Sequence, residues 1–343
     1  MLTEGFVPSQ FCAAQAGVAD GRGGSLLLFP GALGDAVCLE PAVAALGAVG
    51  PVTLYARGGA AEVAGLFPRP PAAIRSLDAR EIAALFAPLP DSVAGGVAGS
   101  AGTSEPAAGG GSSPPVPTWL DGFRRIVSFT GASAPELRAR LRATGRATVA
   151  EFPTPDSDVH AADYFLGVVC GDRSRLACRP RVIVPEEDRL AAAQALRRRA
   201  RPLLVVHPGS GGAAKRAPVG LFRALGERWR SASGGSVTFL LGPAERDEAA
   251  DWASLGPVLE PADVRQLAAL VASADAYLGN DTGPTHIAAA SGVPGVALLT
   301  LRSGVAFRPR GEKLACVELS PCREGLSDEN VAASWDALRG ALP

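Results

Sequence analysis

Short apolar runs recur along the chain, and stretches of helical periodicity fill the gaps between them. Residues 26–29, 52–55 and 126–129 form a first series of strand-like runs, and 203–207, 237–241, 276–279 and 296–300 form a second. Between them the spacing predicts helices near 36–47, 59–66, 135–143, 158–169, 186–199, 218–231, 263–273 and 284–291. A strand that is apolar throughout must be covered on both faces. Strands of this kind alternating with helices therefore predict parallel sheets in an α/β fold.

Two interruptions divide the series. Residues 91–117, DSVAGGVAGSAGTSEPAAGGGSSPPVP, offer too little apolar surface to pack and read as a flexible insertion. Further on, a helix ends in Arg197, Arg198, Arg199, Ala200, Arg201 and Pro202, after which the strand–helix alternation restarts. The expected organisation is a loose arm over 1–24, a Rossmann-like unit over 25–199, a second over 200–326, and a C-terminal crossing helix within 327–343. That helix, about 328–340, is expected to pack back on the first unit. Parallel sheets bind ligands beyond the carboxyl ends of their strands, so two facing units place the site in the cleft between them.

Composition narrows the function classes. With 47% hydrophobic and 20% charged residues in 343, the chain is no disordered segment. Its 33 basic and 34 acidic residues leave a net charge of −1, which argues against a nucleic-acid binder. No apolar run approaches the ~18–20 residues of a membrane span, and the first residues lack a basic, apolar leader. A cytoplasmic protein is expected, with peripheral contact at the inner membrane face as the only membrane role. Six scattered cysteines without CxxC spacing, and three histidines without HxxxH, predict neither a disulfide framework nor a metal centre. Only two of the 33 basic residues are lysines, Lys215 and Lys313, which draws attention to both.

Three strand-to-helix junctions carry candidate chemistry. In LLLFPGALGDAV, Gly31 and Gly34 shape a turn and Asp35 opens the next helix, either as an acid favourable to the helix dipole or as a general base. The GxxGD spacing is not a dinucleotide fingerprint, and that argues against an oxidoreductase. In LLVVHPGSGGAAKRAP, clustered backbone N–H groups around Ser210, followed by Lys215, form a cradle for an oxyanion or phosphate. In GNDTGPTHIAAASGVP, Asp281, Thr282 and Gly283 lead into a small-residue helix whose first turn holds His286. A helix N-terminus of this kind favours an anion.

Together these junctions, with the His-containing run DSDVHAADYFLGVV, resemble glycosyltransferase family 9, the heptosyltransferase-like family, over about residues 25–340. The resemblance implies the two-domain GT-B fold and inverting, metal-independent transfer without a cofactor. It implies a nucleoside-diphosphate-sugar donor, ADP-heptose in the best-known members, and a lipopolysaccharide-core or related glycan or glycolipid acceptor. By the same carry-over Asp35 is the base, and Gly31 and Gly34 form the acceptor-side loop. Lys215, Ser210, Asp281, Thr282, Gly283 and His286 surround the diphosphate, and Glu245 meets the ribose hydroxyls.

The chain departs from the family pattern at Ala217, where an aromatic residue is usual, and in LLTLRSGVAFRP near Arg302. A nucleotide-sugar-binding relative without transfer, or a transferase with another donor and acceptor, therefore stands as the alternative. Asp156-Ser157-Asp158 spells the DxD of metal-dependent transferases but is expected to cap a helix. The run Arg124, Arg125, Arg138, Arg140, Arg142 and Arg146 is either a basic face for an acidic acceptor or membrane, or simply a solvated helix face.

Overall fold

The computed structural model describes residues 23–89, 114–171, 177–212, 215–300, 305–320 and 327–342. Most of the expected arm and insertion, Arg302 and Cys322 lie outside them. Among the described residues there are two sheets, both wholly parallel. The first takes the order β3-β2-β1-β4-β5 from β1 (Ser25–Leu28), β2 (Val52–Ala56), β3 (Ala73–Ser76), β4 (Arg125–Ser128) and β5 (Ala147–Val149). The second takes the order β8-β7-β6-β9-β10-β11 from β6 (Leu203–His207), β7 (Ser236–Leu240), β8 (Val258–Leu259), β9 (Ala276–Asn280), β10 (Gly295–Leu299) and β11 (Leu314–Glu318). Both orders reverse direction once, between β1 and β4 and between β6 and β9. In doubly wound folds that reversal opens a crevice for ligand.

The helices of the first unit are α1 (Leu33–Gly47), α2 (Gly58–Ala64), α3 (Arg80–Ala83), α4 (Pro135–Ala143) and α5 (Ala161–Cys170). Those that follow are α6 (Glu186–Leu196), α7 (Val219–Ser233), α8 (Ala249–Ala253), α9 (Val264–Ala272), α10 (Gly283–Ala290) and α11 (Asp328–Arg339). Helix α1 buries ten of its 15 residues. A helix apolar on most of its surface needs cover on most of its surface. It finds that cover between the units, packed on α5 and α2 of its own and on α10 of the other.

One apolar cluster consequently runs through the base of the cleft. Phe29, Val37 and Leu39 of the first unit belong to it together with Ile287, Ala288 and Val271 of the second. The connecting segment is stitched to both sides: Val182 N–H donates to Ala290 O at 3.1 Å and Ile183 N–H to Leu66 O at 2.8 Å. At the far edge Arg310 donates to Asp163 Oδ2 at 2.9 Å, and His160 Nε2 donates to Arg308 O at 2.9 Å. Burial disfavours the Asp163 charge, but bonds from Cys178 and Arg310 outweigh it and lower the pKa. Burial also lowers His160 to about 4, so its neutral ring accepts from Ala162 N–H and caps α5.

Three expectations change. The C-terminal helix does not cross back: α11 packs on α7, β10 and β11 of the second sheet, with Val331 and Leu338 buried in that unit's own core. Helix α6, grouped with the first unit by sequence, packs instead on α9. Its N-terminal acids Glu187 and Asp188 take both ends of the Arg265 guanidinium, at 2.6 and 2.7 Å. The DxD acids do not cap a helix either, because α5 begins at Ala161 behind His160.

Glu40, buried in the middle of α1, accepts the Arg181 N–H at 3.1 Å. Burial pushes its carboxyl up to about 7, against the pull of Arg181. A carboxyl raised on folding binds more protons folded than unfolded between about 4.5 and 7, so ionising it above that window destabilises the fold. Glu40→Gln keeps an acceptor for Arg181 without the charge. At pH 8 its thermal unfolding should show a gain of about 1–3 kcal/mol over the wild type, shrinking towards zero at pH 5.

Candidate active site

The three junctions singled out by sequence meet at the two crevices. The loop after β1 carries Gly31 to Asp35; the loops after β6 and β9 carry Ser210, Lys215 and the Asp281–His286 turn. The N-terminal turns of α1 and α10 abut, and missing side chains make this possible. A Cβ on Gly34 would come within 2.8 Å of His286 Cδ2, and one on Gly283 within 2.5 Å of Leu33 Cδ2. Gly31 packs between the Phe29 ring and Asp35. Each helix presents N–H groups that have no partner inside the helix, so two partial positive charges converge here.

Asp35 is half-buried on the first turn of α1, where Oδ2 accepts the Ala32 N–H at 2.8 Å. Burial raises its pKa above the ordinary carboxylate value. The Ala32 bond and the charges of His286 and Lys215 oppose the rise, and Asp281 adds to it. A carboxylate shifted this way is a stronger base at neutral pH. His286 is buried, with Nε2 3.7 Å from Asp281 Oδ1 and Nδ1 3.8 Å from Cys38 Sγ. Burial works against charge on the ring, but Asp281 and Cys38 together hold its pKa up at about 10. Lys215 reaches to 3.9 Å from the other Asp281 oxygen and remains half exposed. The arrangement is thus an ammonium, an imidazolium and two helix ends around a pair of aspartates.

Asn280, which sequence reasoning passed over inside the GNDTG run, organises the phosphate-type loop. Its buried amide donates to Pro208 O at 2.6 Å and accepts the Ala217 N–H at 2.9 Å, so it clasps both ends of the 208–217 loop to β9. Ala217 itself is buried against the second core. Ser210 is only 6% exposed, and its hydroxyl finds no partner among the described residues. A buried hydroxyl without a partner is costly in a folded protein and marks a place where a ligand acceptor fits. Thr282 is the N-cap of α10, and its carbonyl accepts from Thr285 and His286.

Glu245 lies on the turn after β7. Its carboxylate is enclosed, accepting Gly242 N–H at 2.9 Å and lying 3.3 Å from Arg216, with Gly209 directly above. The basic face dissolves. Arg140 is buried and donates to Leu85, Ala87 and Pro88 carbonyls; Arg146 donates to Phe123 and Leu120; Arg124 donates to Val49 and Arg138 to Ala132. Of the run only Arg142 is exposed. These guanidiniums secure loop carbonyls and do not form a basic surface. Among the described residues no His/Cys/Asp/Glu cluster has the makings of a metal centre, and no helix is long and apolar enough to cross a membrane.

The chain is similar to known proteins in part of its sequence and in its fold. Residues 179–332 match the model of glycosyltransferase family 9 (heptosyltransferase). The family 9 match covers the second unit with its Lys215 and Asp281–His286 loops. No curated protein sequence matches the chain. Among solved structures, a family 9 glycosyl transferase from Veillonella parvula DSM 2008 is 16% identical, covering 92% of this chain and 95% of that one with a TM-score of 0.64. The E. coli ADP-heptose LPS heptosyltransferase II is 15% identical over 93% and 98%, also at 0.64. E. coli heptosyltransferase WaaC with ADP is 14% identical over 86% and 93%, at 0.55. At such identities the likeness speaks for the fold, which is GT-B: two parallel-sheet α/β units.

Removing the Asn280 clasp isolates its contribution. Asn280→Ala leaves the Ala217 N–H buried and unpaired, which should cost about 1–3 kcal/mol in thermal unfolding. Hydrogen exchange at the Ala217 amide should quicken selectively, while the amides of β6 and β7 stay protected.

Proposed function

We propose that the chain is an inverting glycosyltransferase that moves a sugar, heptose from ADP-heptose as the first candidate, to a hydroxyl of a lipopolysaccharide-core or related glycan. The observation that carries this reading is the convergence of Asp35 from one unit with Lys215, Asp281 and His286 from the other. A carboxylate on one unit, facing a lysine, a histidine and a helix N-terminus grouped around Asp281 on the other, suits a displacement in which one side supplies a base and the other receives an anion. The family 9 match and the donor named for heptosyltransferase II support the choice of donor.

In the proposed step Asp35 takes the proton from the acceptor hydroxyl as its oxygen attacks the anomeric carbon. The bond from that carbon to the β-phosphate oxygen breaks, and the electron pair leaves with the nucleoside diphosphate. Attack opposite the leaving group inverts the anomeric centre. Lys215, the His286 imidazolium and the α10 N-terminus stabilise the growing negative charge, so the scheme needs no metal or cofactor. The unpartnered Ser210 hydroxyl supplies one more donor to the diphosphate. The acceptor enters from the side of Gly31 and Gly34, and work at the inner membrane face follows from a lipid-linked acceptor.

Purified protein is to be assayed with ADP-heptose and a truncated lipopolysaccharide core. Asp35→Asn should lower kcat by ~10²–10⁴-fold while donor affinity by calorimetry stays within about threefold. Lys215→Arg should lose donor affinity, because a planar fork fits the cradle less well than an ammonium, and Lys313→Arg should not. Donor binding without transfer in the wild type would instead favour a binding relative. Wild-type rates from Asp35→Asn would remove Asp35 as the base.

A further inference from the structure

Cys38 lies one helical turn beyond Asp35 on α1 and is wholly buried. Residues four apart on a helix share a face, so Gly34 and Cys38 form a single surface. His286 of the other unit drops onto it: the ring edge packs over Gly34, and Nδ1 lies 3.8 Å from Cys38 Sγ. The opposite ring nitrogen faces Asp281. One imidazolium is therefore gripped by a carboxylate of its own unit and by the helix that carries the proposed base.

Neither bland account of Cys38 explains this contact. As a small core residue it would need only apolar neighbours, and valine would replace it. As a reactive thiol it would need exposure, which it lacks. A thiol is a weak donor and a weak acceptor on a soft atom of large radius, so it can partner a ring nitrogen at a distance that an oxygen spans poorly. Without it, a buried ring nitrogen loses its partner and the ring is free to turn in search of another.

We propose that Cys38 is a positioning residue for the transfer step: with Gly34 it seats His286 against α1, so that the phosphate-side imidazolium and the Asp35 carboxylate share one rigid mount across the cleft. The kinetic arm of this inference rests on the transferase reading. Its spectroscopic arm rests on the geometry alone.

Three histidines make that arm practicable, since His160 and His207 are held by Arg308 O and Leu240 O and serve as internal controls. Cys38→Val and Cys38→Ala remove the thiol, the first at nearly constant volume; Cys38→Ser keeps a polar atom. In the full-length protein, NMR of the imidazole rings should show the His286 resonances shifted and its titration moved to lower pH in the valine and alanine variants. His160 and His207 should stay in place, with Ser intermediate. The kinetic signature is kcat down at least tenfold with the donor KM within about threefold, partly rescued by serine.

Unchanged His286 resonances in a folded valine or alanine variant would overturn the proposal, as would wild-type kcat in either. Should valine fail to fold, alanine decides on the same readouts. If the wild-type protein transfers no sugar, the transferase reading falls, and the ring signals alone confirm or overturn the seat.

Discussion

Everything at the centre of this molecule depends on two helix N-termini being pressed together. Leu33 rests on Gly283 and the His286 ring rests on Gly34, at separations that leave no room for a Cβ on either glycine. The contact does two things at once. It brings the positive ends of α1 and α10 to one point, and it carries Asp35 to within electrostatic reach of Lys215, His286 and Asp281. Without a ligand the two aspartates balance the lysine and the imidazolium. A diphosphate would add negative charge where the helix ends, the lysine and the Ser210 hydroxyl can receive it.

The same contact explains why the two sheets cannot be treated as independent. Helix α1 is too apolar to stand at a solvated cleft edge, so the second unit covers it, and a shared core results. Polar straps then fix the outer edge, with Asp163 bound to Arg310 and His160 to Arg308. A buried carboxylate–guanidinium pair adds little net stability over an apolar contact, but it is intolerant of misregistration. The arrangement favours geometric definition of the cleft, which suits the proposed reaction, whose base and leaving-group site belong to different units.

How much of this was legible follows from where each signal resides. The central strands announced themselves because 26–28, 203–206 and 276–279 are buried throughout and read without a polar interruption. Strands β3, β5, β8 and β11 escaped because they are short or half-solvated, and AIRS or ATV carries no pattern of its own. Asp35, Lys215 and the Asp281–His286 turn were readable from local residue types at strand-to-helix junctions. Asn280 and Cys38 were not: their meaning lies in partners 63 to 248 positions away along the chain. The arginine run misled for the same reason. Nothing local shows that Arg140 turns inward to carbonyls 52 to 55 residues back. The destination of α11 was equally a matter of long-range packing.

The central claim is that close approach of α1 and α10, set by the missing side chain at position 34, aligns the proposed base with the proposed donor site. Gly34→Ala tests it with one carbon atom, placed 2.8 Å from His286 Cδ2. The decisive measurement is turnover of ADP-heptose with a truncated lipopolysaccharide core, alongside calorimetric binding of ADP to the same protein. The account predicts that ADP affinity stays within about threefold while turnover falls on the order of 10²-fold, the scale on which misplacement by an ångström acts. Turnover equal to the wild type in a folded Gly34→Ala protein would contradict it.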